Sequence, residues 1–197
     1  MLSPRPSPLA PRFSWERVRG DGGSRNHGGI GVNPIIIMGV SGCGKTTVGR
    51  ALAERLDATF LDADDFHPAA NVEKMCAGTP LNDEDRTPWL ATLNRELRER
   101  DQRDERVVLA CSALKRRYRD AIGAQLSRVD WIFLDGSFEE IAARMRARAD
   151  HYMPESLLRS QFEALERPDG VITVSIELSP AEQIEAALHA VRNNNAS

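Results

Sequence analysis

The sequence predicts an α/β domain built on a parallel sheet with helices on both sides, and three observations predict it. Short continuous apolar runs recur along the chain, as strands buried on both faces require. Stretches of helical periodicity separate those runs. A glycine-rich turn joins the first run to the first helix. Ile35-Ile36-Ile37-Met38 is the first run, and the helix after the turn is expected over Thr46 to Leu56. Thr59 to Asp62 reads as a second strand that ends in acids. Thr87-Pro88-Trp89 offers Thr as an N-cap and Pro at the first helical position, so a helix is expected from there to about Arg103. Val107 to Cys111 and Trp131 to Leu134 are the third and fourth strands. Phe138 to Arg148 and Glu155 to Leu165 are helices, and Val171 to Val174 is the last strand. Ser179-Pro180-Ala181-Glu182 combines a capping box with a first-turn Pro and starts the terminal helix.

Residues 34–197 carry this pattern and form one domain, whereas the first 33 residues do not. They hold Pro4, Pro6, Pro8 and Pro11 and a glycine-rich stretch from Gly20 to Gly31. A segment so poor in periodic apolar residues cannot bury enough surface to offset its ordering entropy. It reads as a disordered tail, or as the product of an early assigned start codon. Over the whole chain, 28% charged and 41% hydrophobic residues match an ordinary globular protein. The formal net charge of -3 gives no basicity to argue for a nucleic-acid partner. No apolar run approaches the roughly 20 residues of a membrane span, so no membrane is expected either. Cys43, Cys76 and Cys111 form no C-x-x-C pair, which favours free thiols in a reducing compartment, by default the cytoplasm.

Gly39-Val40-Ser41-Gly42-Cys43-Gly44-Lys45-Thr46 matches the phosphate-binding pattern G-x-x-x-x-G-K-[ST] at every defined position. Its glycines let backbone N–H groups curl around a phosphate, and the following helix adds the positive end of its dipole. Lys45 is placed to reach the β- and γ-phosphates of ATP, and the Thr46 hydroxyl to ligate Mg²⁺. Residues 39–46 together with Thr47 are therefore the expected nucleotide contacts. Cys43 lies at a helix N-terminus, where thiol pKa values fall. It reads either as a reactive thiol whose modification blocks ATP or as a passive small residue.

Asp62-Ala63-Asp64-Asp65-Phe66-His67-Pro68 lies at the C-terminal end of the second strand, the end at which open α/β sheets bind ligands. Strand alternation would put Asp62 and Asp64 on one side if the strand extends that far. Asp62 is assigned to the metal shell, and Asp64 to orienting and deprotonating an acceptor hydroxyl. An acidic turn exposed to solvent is the plainer alternative. His67, beside these acids, is a candidate contact to the acceptor or a structural residue.

These residues, with those that follow, resemble the gluconokinase family of P-loop kinases. The matching text runs through the phosphate loop, Asp62-x-Asp64-Asp65-Phe66-His67-Pro68, Asn71 and Lys74-Met75. It continues in Gly78-x-Pro80-Leu81-x-Asp83-x-Asp85-Arg86-x-Pro88-Trp89 and Cys111-Ser112-Ala113-Leu114-Lys115-x-x-Tyr118-Arg119-Asp120, then in His151-Tyr152-Met153-Pro154 and Ser160-Gln161-Phe162. The phosphate loop is common to many nucleotide-binding proteins; the D-D-R-x-P-W-like and C-S-A-L-K blocks are far more specific. Ala63, Cys43 and Asp150 depart from the family's usual glycine, serine and glycine, and none of the three removes a group the chemistry needs. The resemblance implies a nucleoside-monophosphate-kinase-like fold with a mobile lid, transfer of the ATP γ-phosphate to the terminal hydroxyl of D-gluconate, and a homodimer.

A hydroxyl-rich anion of that kind needs a cation and several hydrogen-bond partners. Arg86 offers a bidentate fork for a carboxylate, and Ser112 and Lys115 lie just past the third strand. Arg119, one helical turn later, would share a face with Lys115. The competing assignments are an ion pair of Arg86 with Asp83 or Asp85, and an exposed Lys115 at a helix start. Trp89 reads as core before it reads as a sugar platform. By the resemblance, Arg148 would meet the phosphates and Arg144 would stack near adenine. Residue chemistry alone stops at a hydroxyl kinase. A shikimate or nucleoside-monophosphate acceptor stays open at that level, as does a non-catalytic nucleotide-binding regulator.

Overall fold

Ile35–Met38 forms β1, and none of its four side chains is more than 1% exposed. In the computed structural model, which describes residues 33–147 and 155–194, this strand is the middle of a five-stranded sheet. β2 (Thr59–Asp62), β3 (Val107–Ala110), β4 (Asp130–Asp135) and β5 (Ile172–Ser175) complete it in the order β2-β3-β1-β4-β5. Every pairing is parallel, with Ile35 opposite Val108 on one side and opposite Asp130 on the other. The expected N-terminal tail, Arg148 and the lid stretch 151–154 lie outside the described residues.

Because side chains alternate across a strand, the apolar run of β1 serves two cores at once. Ile35 and Ile37 point into one, with Val48, Leu52 and Leu56 of α1 (Lys45–Leu56) and Leu188 and Val191 of α7 (Pro180–Asn194). Ile36 and Met38 point into the other, with Trp89, Leu90, Leu93 and Leu97 of α3 (Asp83–Asp101) and Tyr118 and Ile122 of α4 (Arg116–Gly123). Each fully buried side chain of this size contributes about 1.5–3 kcal/mol relative to exposure, so burial on both faces holds β1 and the loop after it. The remaining helices are α2 (Ala69–Cys76), α5 (Phe138–Arg146) and α6 (Glu155–Ala164). Among the described residues no helix is long and apolar enough to cross a membrane.

The expected elements are present within a residue or two at most boundaries, and the Ser179–Glu182 capping box forms, with Ser179 N–H donating to Glu182 Oε2 at 2.8 Å. The start of α3 is different. Thr87 is not its cap: the helix begins one turn earlier, at Asp83, with Pro88 inside it. Asn82 accepts from the Asp85 N–H at 2.8 Å, and Asp85 returns the bond to the Asn82 N–H at 3.0 Å. Three acids in the first turn complement the helix dipole. Pro88 forfeits one intrahelical bond, a loss tolerated close to the helix start. The segments around it, a 3₁₀ turn over Ala63–Phe66 and α2, were not expected.

The two readings of this helix start are separable by urea unfolding. Asn82→Ala is expected to lower stability by about 1 kcal/mol through loss of the cap. Thr87→Ala, which removes only a hydroxyl bonded to the Asp83 carbonyl at 3.0 Å, is expected to cost less. The opposite ranking would restore Thr87 as the cap.

Candidate active site

At the end of β1 the chain must turn sharply without steric conflict. A Cβ on Gly39 would lie 2.9 Å from both the Leu134 carbonyl oxygen and Cys43 Sγ, and the residue's φ of +141° is itself unfavourable for other side chains. The Gly39 N–H donates to the Ser112 carbonyl at 3.3 Å, tying the loop to the segment after β3. Gly44 caps α1 in a left-handed conformation with no side-chain bond. The first-turn amides of α1 therefore have no side-chain cap in competition with a phosphate. Lys45 folds back over the loop, its Nζ donating to the Val40 carbonyl at 3.0 Å.

Cys43 is fully buried, and burial pushes its thiol above the ordinary range despite the nearby Lys45 charge. Burial outweighs the helix terminus here, which favours the passive small residue over the reactive thiol. Cys111 is also buried, its thiol pushed up to about 12, while Cys76 is exposed.

The two acids meet the loop by a route other than strand alternation. β2 ends at Asp62, whose side chain caps the 3₁₀ turn by accepting from the Asp64 N–H at 3.2 Å. The other Asp62 oxygen accepts from the Thr46 hydroxyl at 3.2 Å. Asp64 thus hangs from a turn anchored to the phosphate loop, close enough to Lys45 to feel its charge. Crowding by the protein, then the neighbouring Asp62, raises the Asp64 pKa above that of an ordinary aspartate. Its side chain is nevertheless 88% exposed, so the crowding is not that of a sealed interior.

A group of cations gathers around Tyr118 of α4. Arg86, Lys115 and Arg117 stand 5.5–5.7 Å from the ring centroid of Tyr118. Arg86 makes neither of the expected ion pairs; it donates to the backbone carbonyls of Leu81 and Asn82. Asp83 instead takes Lys115 at 3.2 Å, Arg117 and the Tyr118 hydroxyl. The Tyr118 hydrogen bond, then Lys115 and Arg117, hold the Asp83 carboxyl below its usual range. Lys115 is therefore the N-cap of α4 with an acidic partner, not a free helix-start lysine. Arg119 turns back to donate to the Ala113 and Leu114 carbonyls at 3.0 and 3.1 Å, bracing the loop in which Ala113 adopts a positive φ. It does not share the orientation of Lys115. Arg144 donates to the Ile176 carbonyl beyond β5.

Comparisons with known proteins show the family and the fold. A family described as AAA domain matches residues 35–168. The thermosensitive gluconokinase of Escherichia coli K12 is 46% identical over 167 residues, covering 81% of this chain and 89% of that protein. The gluconokinase of Arabidopsis thaliana is 42% identical, with 81% and 93% covered. A crystal structure of a gluconokinase from Sinorhizobium meliloti 1021 superposes with a TM-score of 0.78 at 40% identity, covering 84% of this chain and 95% of that one. The chain belongs to the gluconokinase family. A shikimate kinase from Aquifex aeolicus, at 22% identity and a TM-score of 0.54, shares the fold alone.

Within this gluconokinase fold, Gln161 and Asn71, which the sequence motifs named without a role, and Trp89, which they favoured as core, join segments around the phosphate loop and the start of α3. Gln161 of α6 accepts from the Ser41 N–H at 2.7 Å and donates to the Ser41 hydroxyl at 3.0 Å, clasping the phosphate loop. Trp89 is 4% exposed and donates from its indole to the Ala63 carbonyl at 2.7 Å, so it is core and not a sugar platform. Asn71, 4% exposed, donates to the Asp85 carbonyl at 2.8 Å. Each joins segments distant in sequence, which no local pattern announces.

Burial orders the thiol chemistry. An aromatic disulfide reagent is expected to modify one thiol rapidly in the native protein, with activity retained, and Cys76→Ser should abolish that phase. Peptide mapping that found Cys43 labelled at the same rate would contradict the burial account.

Proposed function

We infer that this protein transfers the γ-phosphoryl group of ATP to the 6-hydroxyl of D-gluconate, giving 6-phospho-D-gluconate and ADP. The observation that supports the kinase chemistry is that Asp64 stands on a turn capped by Asp62, which itself accepts from Thr46 of the phosphate loop. The acceptor follows from the relatives, which are themselves named gluconokinases.

The nucleotide's phosphates nest in the amides of residues 39–47, with Lys45 on the β- and γ-phosphates. Thr46 and Asp62 supply two adjoining oxygens of the kind that Mg²⁺ accepts alongside water and phosphate, so the donor set fits that ion. When bound, Mg²⁺ neutralises charge developing on the phosphate oxygens. The gluconate carboxylate is held by Arg86, and by Lys115 once it exchanges Asp83 for the substrate. Ser112 offers a hydroxyl, and Arg119 supports the loop that carries Ser112 and Lys115. Asp64 accepts a hydrogen bond from the 6-hydroxyl and aims its oxygen at the γ-phosphorus. As the new O–P bond forms, the bond to the β-phosphate oxygen breaks with its electron pair leaving on ADP, and the hydroxyl proton passes to Asp64. The loose transition state makes this proton transfer late, so orientation matters more than basicity. Arg144 and Arg148 complete the nucleotide side, Arg144 beside the loop after β5 and Arg148 at the phosphates. The protein works as a homodimer in the cytoplasm, a compartment compatible with its three free cysteines.

A coupled ADP-release assay over ATP with gluconate, other aldonic acids, shikimate and nucleoside monophosphates tests this reading. Rapid turnover is expected with gluconate or a close aldonic acid only, and Lys45→Ala should abolish it. Rapid turnover with shikimate or a nucleoside monophosphate and none with gluconate would refute the acceptor.

Asp64→Asn should lower kcat by at least roughly 10²-fold while not lowering stability. The sign follows from the raised pKa. A carboxyl whose folded-state pKa exceeds its unfolded value favours the folded state below the unfolded pKa and loses that contribution as pH rises through the folded pKa. At pH 7 ionised Asp64 is thus a liability that the amide relieves, and thermal unfolding of metal-free protein should show an equal or higher Tm for the variant. The gain should vanish below about pH 3.9, the ordinary aspartate pKa. A variant with near-normal turnover would remove Asp64 from the mechanism.

A further inference from the structure

His67 was expected among the contacts of the acceptor, yet its side chain is only 6% exposed and both ring nitrogens face protein. The ring stacks on Trp89 with centroids 4.4 Å apart and planes 11° from parallel. Its backbone N–H donates to the Asp64 carbonyl at 3.4 Å, closing the turn that carries Asp64. Nothing in the phosphoryl-transfer chemistry above uses this buried imidazole.

The protonation pattern follows from one neighbour. Asn71 Nδ2 lies 2.8 Å from the Asp85 carbonyl oxygen, which can only accept, so the amide's orientation is determined. The second N–H of the same nitrogen faces His67 Nδ1 at 3.3 Å. Nδ1 must therefore present its lone pair, and the proton of the neutral ring sits on Nε2. Nε2 is the atom that faces Asp64 Oδ1, at 4.0 Å. Burial, together with the positive charge of Arg86, lowers the His67 pKa against the opposing pull of Asp64 and favours the neutral ring. A separation of 4.0 Å is beyond a hydrogen bond, but the exposed carboxylate is free to close it, and catalytic hydrogen bonds often tighten only with substrate bound.

We propose that His67 is a positioning residue for Asp64: Asn71 holds its ring in the Nε2–H tautomer, and that N–H engages one carboxylate oxygen so that the other is aimed at the acceptor hydroxyl. The inference rests on the reading of Asp64 as the acceptor-side base. A neutral Nε2–H donor suits the task, because it steers the carboxylate without offering a second base for the hydroxyl proton. The chain Asp85 carbonyl, Asn71, His67, Asp64 links the first turn of α3 to the catalytic carboxylate. The substrate-side cations Arg86 and Lys115 are anchored on that same turn, by the Asn82 carbonyl and by Asp83.

Two measurements test it. Long-range ¹H–¹⁵N correlation spectra of the full chain labelled at histidine, with the His67 signals assigned by their loss in His67→Gln, should show a neutral Nε2–H ring at pH 7.5. An Nδ1–H ring, or a charged one, overturns the proposal whatever the activity of any variant. Steady-state kinetics then separate steering from packing. His67→Gln keeps an N–H near the Nε2 position, whereas His67→Phe keeps the flat stacked ring and loses the donor. The Phe variant is expected to lose about tenfold or more in kcat, a modest share of the 10²–10⁴ of acid–base catalysis, with KM for gluconate little changed and the Gln variant substantially more active. Equal or better turnover of the Phe variant would assign His67 to packing and overturn the proposal. So would a loss confined to KM for gluconate, which would mark a direct acceptor contact. In an Asp64→Asn background the Phe substitution should cost little more, because a residue that acts through Asp64 has nothing left to steer. If Asp64→Asn alone retains turnover, the reading of the base fails while the tautomer result still stands.

Discussion

The structure depends on one constraint: a strand sealed on both faces must hand the chain to a loop whose backbone amides stay open to a phosphate. β1 meets the first half of it with side chains in both cores, and its neighbours β3 and β4 lie to either side, so a crevice opens at its C-terminal end. The second half is met by glycine where the turn has no room. At Gly39 a side chain would collide with the backbone of β4, and at Gly42 it would lie 2.7 Å from Met145 of α5. The buried Cys43 sits in the same tight turn, its Sγ 2.9 Å from where a Cβ on Gly39 would lie, so a small residue suits that position.

Everything on the acceptor side is referred to that loop by short links. Thr46 bonds Asp62, Asp62 caps the turn that carries Asp64, and the Trp89 indole holds the Ala63 carbonyl of the same turn. α3 brings Trp89 from the core side, and its first turn carries Arg86 and Asp83 beside Tyr118. Displacing the start of α3 would therefore shift the cationic group relative to the carboxylate. This is a physical reason for the strong double cap formed by Asn82 and Asp85. On the nucleotide side Gln161 performs the corresponding service, joining α6 to Ser41.

Much of this was legible in the sequence because it is written locally. The Ile35–Met38 run, the phosphate loop and the Ser179 capping box each declare themselves within a few residues, and the specific blocks that follow identified the family. The start of α3 was misread because Pro88 satisfies a first-turn preference as well as Asn82 satisfies a cap, and propensity alone does not rank the two. Strand alternation does not relate Asp62 to Asp64, since β2 ends at Asp62 and a 3₁₀ turn replaces the expected strand extension. For Cys43 the sequence left a reactive thiol and a passive small residue both open, and burial favours the second. The tie of Asn71 to Asp85 and the clasp of Gln161 on Ser41 join residues far apart in the chain, and only the folded structure brings them together.

The central claim is that Asp64 steers the incoming hydroxyl toward phosphorus held in the loop after β1. The most direct measurement is a crystal structure of the complex with gluconate and a non-hydrolysable ATP analogue. The account predicts an Asp64 oxygen about 2.6–3.2 Å from the 6-hydroxyl, hydrogen-bond reach for a catalytic base, with that hydroxyl in line with the γ-phosphorus. A complex in which Asp64 faces bulk solvent while the hydroxyl is held by another group would contradict it.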